Sequence, residues 1–308
     1  MSIGYVNMSD SNTKKFLSGF IAIVGPPNVG KSTLLNLMLG SKVAIVSPKP
    51  QTTRNRVMGI YHGDGYQMAF MDTPGIHRTK TPLHKSMVSS AMESISEVDI
   101  IMVVTEISKP DDYEISMILT ALKKNVKKPV ILVLNKIDTA TKEKILATLD
   151  HYGKTDIFDS IVPVSALKGD GIEILIEELK KRLKPGPEFF PRDMITDQSE
   201  TFLVSEIIRE KIFIYTRHEL PYSAAVTVEQ IQEIPDKDLL KISAVIHVES
   251  KSQKAIVVGR NGAKIKEIGT ASRLELEKIF GTRVYLELFA RVEKNWSRDT
   301  RALRRLGY

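Results

Sequence analysis

Gly25-Pro26-Pro27-Asn28-Val29-Gly30-Lys31-Ser32, with Thr33 behind it, is the stretch whose reading decides the fold. It fits the spacing G-x-x-x-x-G-K-[ST], follows the apolar run Phe20–Val24 and opens a helical pattern over Ser32–Leu39. Strand, glycine-rich turn and helix form the context in which that spacing binds phosphate. The glycines let backbone N–H groups turn toward an anion, and the helix N-terminus adds a favourable dipole. Lys31 is placed to reach the outer phosphates and Ser32 to ligate Mg²⁺. The plainer alternative is a tight Gly-Pro turn between strand and helix.

Four more apolar runs lie downstream: Tyr66–Met71, Asp99–Thr105, Val130–Leu134 and Ile161–Val164. Amphipathic stretches at Glu114–Leu122, Lys144–Tyr152 and Ile172–Leu183 fall between or after them. Apolar runs alternating with helices predict a mostly parallel sheet with helices on both faces. Three of these four runs end in a segment with chemistry of its own, at the edge where open α/β sheets bind ligands. Asp72-Thr73-Pro74-Gly75 follows the first, so that a carboxylate can hold Mg²⁺ through water and the Gly75 N–H can sense a γ-phosphate. Ile76 comes next, an apolar side chain that cannot orient water. Asn135-Lys136-Ile137-Asp138 follows Val130–Leu134, and a carboxylate there can accept from both N1–H and the exocyclic amine of guanine. Ser165-Ala166-Leu167 follows Ile161–Val164 and offers a backbone N–H to the guanine O6. Gln51-Thr52-Thr53-Arg54 lies in a polar stretch between the phosphate loop and Asp72. One of its threonines can close over Mg²⁺ and the γ-phosphate and release after hydrolysis. Thr53 is favoured over Thr52, with both left open.

The segment KPGPEFFP (184–191) carries three prolines in eight residues, which neither a helix nor a central strand accommodates. The expected organisation is a nucleotide domain over 1–185, a linker over 186–200 and a second domain over 201–308. That second domain reads as a helix (202–217), two alternating stretches (222–233 and 240–249), a helical segment broken by glycine (252–280) and a last strand (283–292), an α+β order. Gly259-Arg260-Asn261-Gly262 interrupts the helical segment; two glycines around two polar residues let a turn approach a nucleic-acid backbone. Lys254, Arg260, Lys264, Lys266 and Arg273 supply positive charge around it. Gly259, Asn261 and Gly262 form the turn itself, and Ile256, Ile265 and Ile268 form an apolar groove floor or core.

GPPNVGKS, QTTR, DTPG, NKID and SAL, followed by a smaller domain with G-x-x-G, resemble the Era family of bacterial GTPases from about Phe20 to Tyr308. The resemblance implies a P-loop GTPase domain followed by a type II KH domain. It implies GTP and GDP as ligands with Mg²⁺ on Ser32, Thr53 and Asp72, and Lys31, Asp72, Gly75 and Thr53 in catalysis. It also implies a monomer that binds small-subunit ribosomal RNA near its 3′ end and acts in assembly of the 30S subunit, with peripheral contact to an anionic membrane as a secondary feature. GTPases with an asparagine at the position of Asn28 can hold K⁺ beside the β- and γ-phosphates. The tail that begins at Trp296 either caps the domain as a basic helix or contacts RNA.

The chain has 308 residues, enough for two domains of ordinary size, and no cysteine. Disulfides, thiolate zinc sites, iron–sulfur clusters and a cysteine nucleophile are excluded. No apolar run is long enough to span a bilayer and no secretory signal opens the sequence, so a cytoplasmic protein is expected. The six histidines show no metal-ligand spacing. Charge is uneven: residues 251–308 hold 14 Lys and Arg against six Asp and Glu, while the first 250 are nearly neutral. That end favours a polyanion, nucleic acid or an anionic membrane. Two other classes compete, a P-loop kinase acting on a metabolite and a membrane-recruited signalling protein. Asn135–Asp138 speaks against the first.

Overall fold

The computed structural model describes residues 15–47, 49, 52–73, 97–108, 113–125, 128–216 and 220–307. The first domain is built on β1 (Leu17–Val24), β2 (Val57–Gly63), β3 (Tyr66–Asp72), β4 (Ile100–Glu106), β5 (Val130–Asn135), β6 (Ser160–Pro163) and the short β7 (Lys184–Pro185). The sheet runs β2-β3-β1-β4-β5-β6, and β7 pairs with β1. The joins among β3, β1, β4, β5 and β6 are parallel, whereas β2 is antiparallel to β3 and β7 to β1. The helices are α1 (Lys31–Leu39), α2 (Tyr113–Asn125), α3 (Lys142–Gly153) and α4 (Ile172–Lys180).

The continuous apolar character of these strands follows from burial on both faces. Along β1, Ile21 and Ile23 enter one core with Leu34, Leu35 and Met38 of α1 and Leu175, Ile176 and Leu179 of α4. Ala22 and Val24, pointing the other way, enter a second core with Ile115, Ile118 and Leu122 of α2. α1 ends at Gly40 in the left-handed region, and α3 starts on Thr141, whose side chain accepts from the Lys144 N–H.

Strand β2 is not among the apolar runs of the sequence, because Gly59 and Gly63 and the polar His62 break its alternation. Tertiary packing makes it a strand. A Cβ at Gly59 would come within 2.5 Å of Leu39 Cδ1, so glycine lets α1 pack onto it. The free edge of β2 is covered by the proline-rich stretch 186–200: the Ile60 N–H donates to the Ile195 carbonyl, and Gly59 bridges Thr196. Buried Gln67 accepts from the Phe189 and Phe190 N–H groups and donates to the Phe190 carbonyl. An edge that would invite another chain is thereby closed by the connector itself.

The second domain comprises α5 (Glu200–Tyr215), β8 (Ala225–Ile234), β9 (Leu239–Val248), α6 (Lys251–Val258), α7 (Ala263–Phe280), β10 (Arg283–Val292) and α8 (Thr300–Arg305). Its sheet runs β10-β9-β8, with β9 parallel to β10 and antiparallel to β8. Alternate residues of β9 (Leu240, Ile242, Ala244, Ile246 and Val248) face a core shared with α5, α6 and α7. Ile268 belongs to that core, Ile265 is half-buried and Ile256 is exposed, so the three isoleucines do not form one surface. The C-terminal tail folds back: Trp296, Ala302, Leu303 and Leu306 cluster on Ala225, and the Trp296 indole N–H donates to the Ser223 carbonyl at 2.9 Å. Among the described residues no helix is long and apolar enough to cross a membrane.

Candidate active site and nucleic-acid interface

The phosphate loop joins β1 to α1 in the expected conformation. Gly30 lies at φ 97° and Asn28 at φ 63°. A Cβ on Gly30 would lie 2.3 Å from Asn135 Nδ2, and one on Gly25 would lie 2.1 Å from the Val104 carbonyl oxygen, so neither position accepts a side chain. Lys31 is buried, and its ammonium donates to the Gly25 and Pro26 carbonyls at 3.1 and 2.8 Å. Burial lowers its pKa to about 8, with Asp72 opposing the shift. Burial likewise raises that of Asp72, against Lys31, Ser32 and Thr53.

Oxygen donors converge beside Lys31. The Ser32 hydroxyl donates to Asp72 Oδ2 at 2.6 Å and lies 3.0 Å from Thr53 Oγ1, which is 3.5 Å from the same carboxylate oxygen. Asp72 Oδ1 is buried without a hydrogen-bond partner among the described residues. Two hydroxyls and a carboxylate with an oxygen to spare suit a hard cation such as Mg²⁺, which takes oxygen ligands and keeps several waters. The two threonines differ in what their hydroxyls meet. The Thr52 hydroxyl is engaged with Ser47 and the Lys49 carbonyl, while Thr53 faces Ser32. A cavity of about 160 Å³ opens here, lined by Asn28, Lys31, Ser32, Thr33, Thr53 and Lys136 among others, with Pro27 at its wall. Thr73 is buried and its hydroxyl donates to the Ile23 carbonyl, which ties the end of β3 to β1. Pro74, Gly75, Ile76 and Gln51 lie outside the described residues.

Asn135 is a tie between two loops. Its Nδ2 donates to the Val29 carbonyl, and its Oδ1 accepts from the Lys136 and Ala166 N–H groups. The Ala166 N–H, one of the groups expected to meet a guanine O6, is thus turned to Asn135. Asp138 accepts from the Ser165 hydroxyl at 2.6 Å through Oδ1, which orients the carboxylate, while Leu167 stands exposed beside it. Lys136 adopts φ 65° and donates to the Asn28 carbonyl and to Glu106, bridging the base and phosphate loops. Glu106 carried no signal of its own in the sequence.

In the second domain Gly259 (φ 74°) and Gly262 (φ 77°) enclose Arg260 and Asn261 between α6 and α7. At Gly259 a Cβ would meet Lys264 Cβ at 2.6 Å, whereas Gly262 faces open space. A groove of about 420 Å³ lies between α7 and β10, with an apolar wall of Ile265, Leu286 and Leu288, Gly269 as a gap in the helix, and Tyr285 beside them. Lys266 and Arg273 line it. Lys264 stands at its loop end, paired with Glu267, while Lys254 lies exposed on α6 and does not line the groove. The β10 side of the groove was missed in the sequence. Tyr285 there is half-exposed, as is Phe289 on the same strand, and exposed aromatics on a strand were an available hint.

The comparisons with known proteins agree with this geometry. Residues 20–136 match the model of a 50S ribosome-binding GTPase family, and residues 219–297 match that of the KH domain. The GTPase Era of Geotalea uraniireducens is 52% identical over 296 residues, covering 96% of this chain and 99% of that one. A crystal structure of Aquifex aeolicus Era bound to GDP and AlF4⁻ superposes with a TM-score of 0.91 at 41% identity, over 95% of this chain and 99% of that one. A crystal structure of Era with MgGDPNP and nucleotides 1506–1542 of 16S ribosomal RNA superposes with a TM-score of 0.92, also at 41% identity and over the same shares of the two chains. A phosphate loop, an oxygen-lined cation cradle and a KH groove thus recur together along one chain, and the chain belongs to the Era family of GTPases.

Proposed function

We propose that this protein is a GTP-hydrolysing switch that binds the 3′ end of 16S ribosomal RNA and acts in assembly of the 30S subunit. The observation that carries the reading is the presence, in one chain, of an Asp138 carboxylate oriented by Ser165 and a G-x-x-G groove lined by Lys266 and Arg273. Asp138 selects guanine, since only guanine presents two donors to one carboxylate. Era with MgGDPNP and a 16S segment supports the RNA partner by likeness.

In this reading the cofactor contacts run along Gly25, Pro26, Pro27, Asn28, Val29, Gly30, Lys31, Ser32 and Thr33, then Asp72 to Ile76, Asn135, Lys136, Asp138 and Ser165 to Leu167. Phosphoryl transfer to water is driven by positioning and by stabilising negative charge. Lys31 and the loop N–H groups hold the β- and γ-oxygens, and Ser32, Thr53 and Asp72 hold Mg²⁺, which neutralises the developing charge. Gly75 senses the γ-phosphate. Isoleucine at position 76 cannot orient water, so intrinsic turnover is slow until another group supplies that role. Gly259, Arg260, Asn261, Gly262, Lys264, Lys266, Arg273 and Lys254 bind RNA, about four single-stranded nucleotides in the groove itself. The nucleotide state sets the geometry between the domains. Residues 1–185 and 201–308 are the two functional units, joined by 186–200. Exposed Arg301 and Arg304 on the tail support peripheral contact of this cytoplasmic protein with an anionic membrane.

The test is crosslinking to total cell RNA with a non-hydrolysable GTP analogue or GDP bound. Enrichment near the 3′ end of small-subunit ribosomal RNA, stronger with the GTP analogue, is expected. Equal recovery of unrelated RNA in both states would refute the reading. Flotation with anionic vesicles at physiological salt, with and without competing RNA, distinguishes a primary lipid partner.

A further inference from the structure

Charged side chains are seldom fully buried. Yet three on α5, Glu206, Arg209 and Glu210, are buried together with the apolar stripe Val204, Ile207, Ile208 and Ile212 of the same helix. The stripe faces the second domain's own core. The charges face the first domain, and Arg209 reaches the segment that holds the candidate metal ligand. The Arg209 guanidinium is fixed on its own side by Glu206, with Nε and Nη2 at 2.7 and 2.6 Å from the two carboxylate oxygens, and by the Phe213 ring at 5.4 Å. Across the domain boundary Nη2 donates to the Thr52 carbonyl. On the other side of Thr53, the Arg54 guanidinium donates to the Ala224 carbonyl at 2.9 Å and sits over the Trp296 ring at 5.9 Å. Both neighbours of Thr53 are therefore attached to the second domain, and Thr53 itself presents its hydroxyl 3.0 Å from Ser32 Oγ.

We propose that Arg209, locked by Glu206, is a positioning residue for Thr53, so that the second domain sets the placement of a ligand in the Mg²⁺ and γ-phosphate site of the first. The inference rests on the reading of Thr53 as the switch ligand. A peptide unit held at the residue before and a side chain anchored at the residue after leave the intervening hydroxyl little freedom. A paired arginine is suited to this because its planar fork serves Glu206 through two N–H groups and still has a donor for Thr52. Misplacement of such a ligand by about 1 Å is enough to weaken a preorganised site.

The test uses the full chain with Arg209→Gln, and with the pair Glu206→Gln and Arg209→Gln, which leaves no unpaired buried carboxylate. Affinities for GDP and for a non-hydrolysable GTP analogue are measured across a Mg²⁺ titration, together with the melting temperature. Affinity for the GTP analogue should fall by about tenfold, the lower part of the range for coupling between distinct sites. The Mg²⁺ concentration for half-maximal analogue binding should rise, while GDP affinity changes by less than about twofold because the switch threonine is released after hydrolysis. Unchanged analogue affinity and Mg²⁺ requirement in both folded variants would overturn the proposal. Parallel loss of both nucleotides with a lowered melting temperature would also overturn it, leaving Arg209 as a fold anchor only. Thr53→Ala is the control for the underlying reading. If it leaves analogue binding and its Mg²⁺ dependence intact, Thr53 is not the switch ligand and this inference falls with that reading. If it impairs them while the Arg209 variants do not, only the positioning role is lost.

Discussion

Asp138 and Asn28 show how much function one side chain can hold. The Asp138 carboxylate is aimed by a 2.6 Å bond from Ser165, which leaves oxygen capacity for the two guanine donors. Asp138→Asn replaces that double acceptor by an amide and should weaken GTP binding by about 2–3 kcal/mol, the scale of hydrogen bonds to a charged group. Competition assays should then shift from GTP toward XTP; a variant that still prefers GTP would contradict the assignment. Asn28 is exposed in the left-handed region, lines the phosphate cavity beside Lys31, and gives its carbonyl to Lys136. If its side chain helps to hold K⁺ beside the β- and γ-phosphates, hydrolysis rises several-fold in K⁺ over Na⁺ at equal ionic strength, because a cation there offsets developing charge. Asn28→Ala should abolish that difference with GDP affinity nearly kept. Equal wild-type rates in the two salts would exclude K⁺ from the reaction.

Whole elements decide the RNA groove and the response to acid. Gly262 caps the N-terminus of α7 at φ 77° and faces open space, so Gly262→Asp meets no neighbour but forces a side chain into the left-handed region and brings negative charge to the backbone-binding turn. RNA affinity should drop by about 1–3 kcal/mol. Hydrolysis without RNA should be unchanged, since the turn belongs to the other domain. Unaltered RNA affinity in the folded variant would remove the G-x-x-G turn from the RNA site. On β9, His247 is buried, with Nε2 against Thr227 Oγ1 and Nδ1 against Glu293. Burial lowers its pKa and Glu293 opposes this, while Arg291 and Arg305 add to the lowering. Below about pH 6.5 the unfolded chain takes up a proton that the folded chain resists, so stability falls with pH from there down to the folded pKa. Melting temperature followed from about pH 7.5 to about pH 5.5 should fall less steeply in His247→Gln than in the wild type. Equal slopes would show that another group dominates.

At the scale of the whole molecule, Trp296 joins the tail, β8 and Arg54 of the first domain. It is fully buried, donates to the Ser223 carbonyl, packs on Ala225 and Leu303, and lies under Arg54. Trp296→Ala should cost about 3–5 kcal/mol, the range for deleting a large buried aromatic. The melting temperature should drop accordingly, and affinity for a GTP analogue should drop more than that for GDP. A change within experimental error in stability would mean that the tail is not part of the folded unit. A second set of contacts crosses the domain boundary nearby: Lys42 pairs with both Glu210 and Glu275, and the Val46 N–H donates to Glu210. The middle of α5, from Glu206 to Glu210, is therefore buried by apolar atoms on one side and paired charges on the other, while Ile214 near its end stays exposed.

The sequence by itself determined the first domain's architecture, because strands buried on both faces write continuous apolar runs and the phosphate loop permits few residues between its glycines. The candidate nucleotide residues were legible for the same reason: Lys31, Ser32, Asp72, Asn135, Asp138 and Ser165 sit in local turns at strand ends. The G-x-x-G turn was legible from its glycines, both of which adopt positive φ. Three things were settled only by tertiary structure. Strand β2, broken by Gly59 and Gly63, exists because α1 and residues 195–196 pack against it. Which of the Thr52 and Thr53 hydroxyls faces Ser32 was the second, because adjacent identical residues carry no pattern to distinguish them. The burial of Glu206, Arg209 and Glu210 was hidden most deeply. Helical periodicity sets charged residues on the solvent side, and only the docking of a second domain, through contacts remote along the chain, turns that side into an interior.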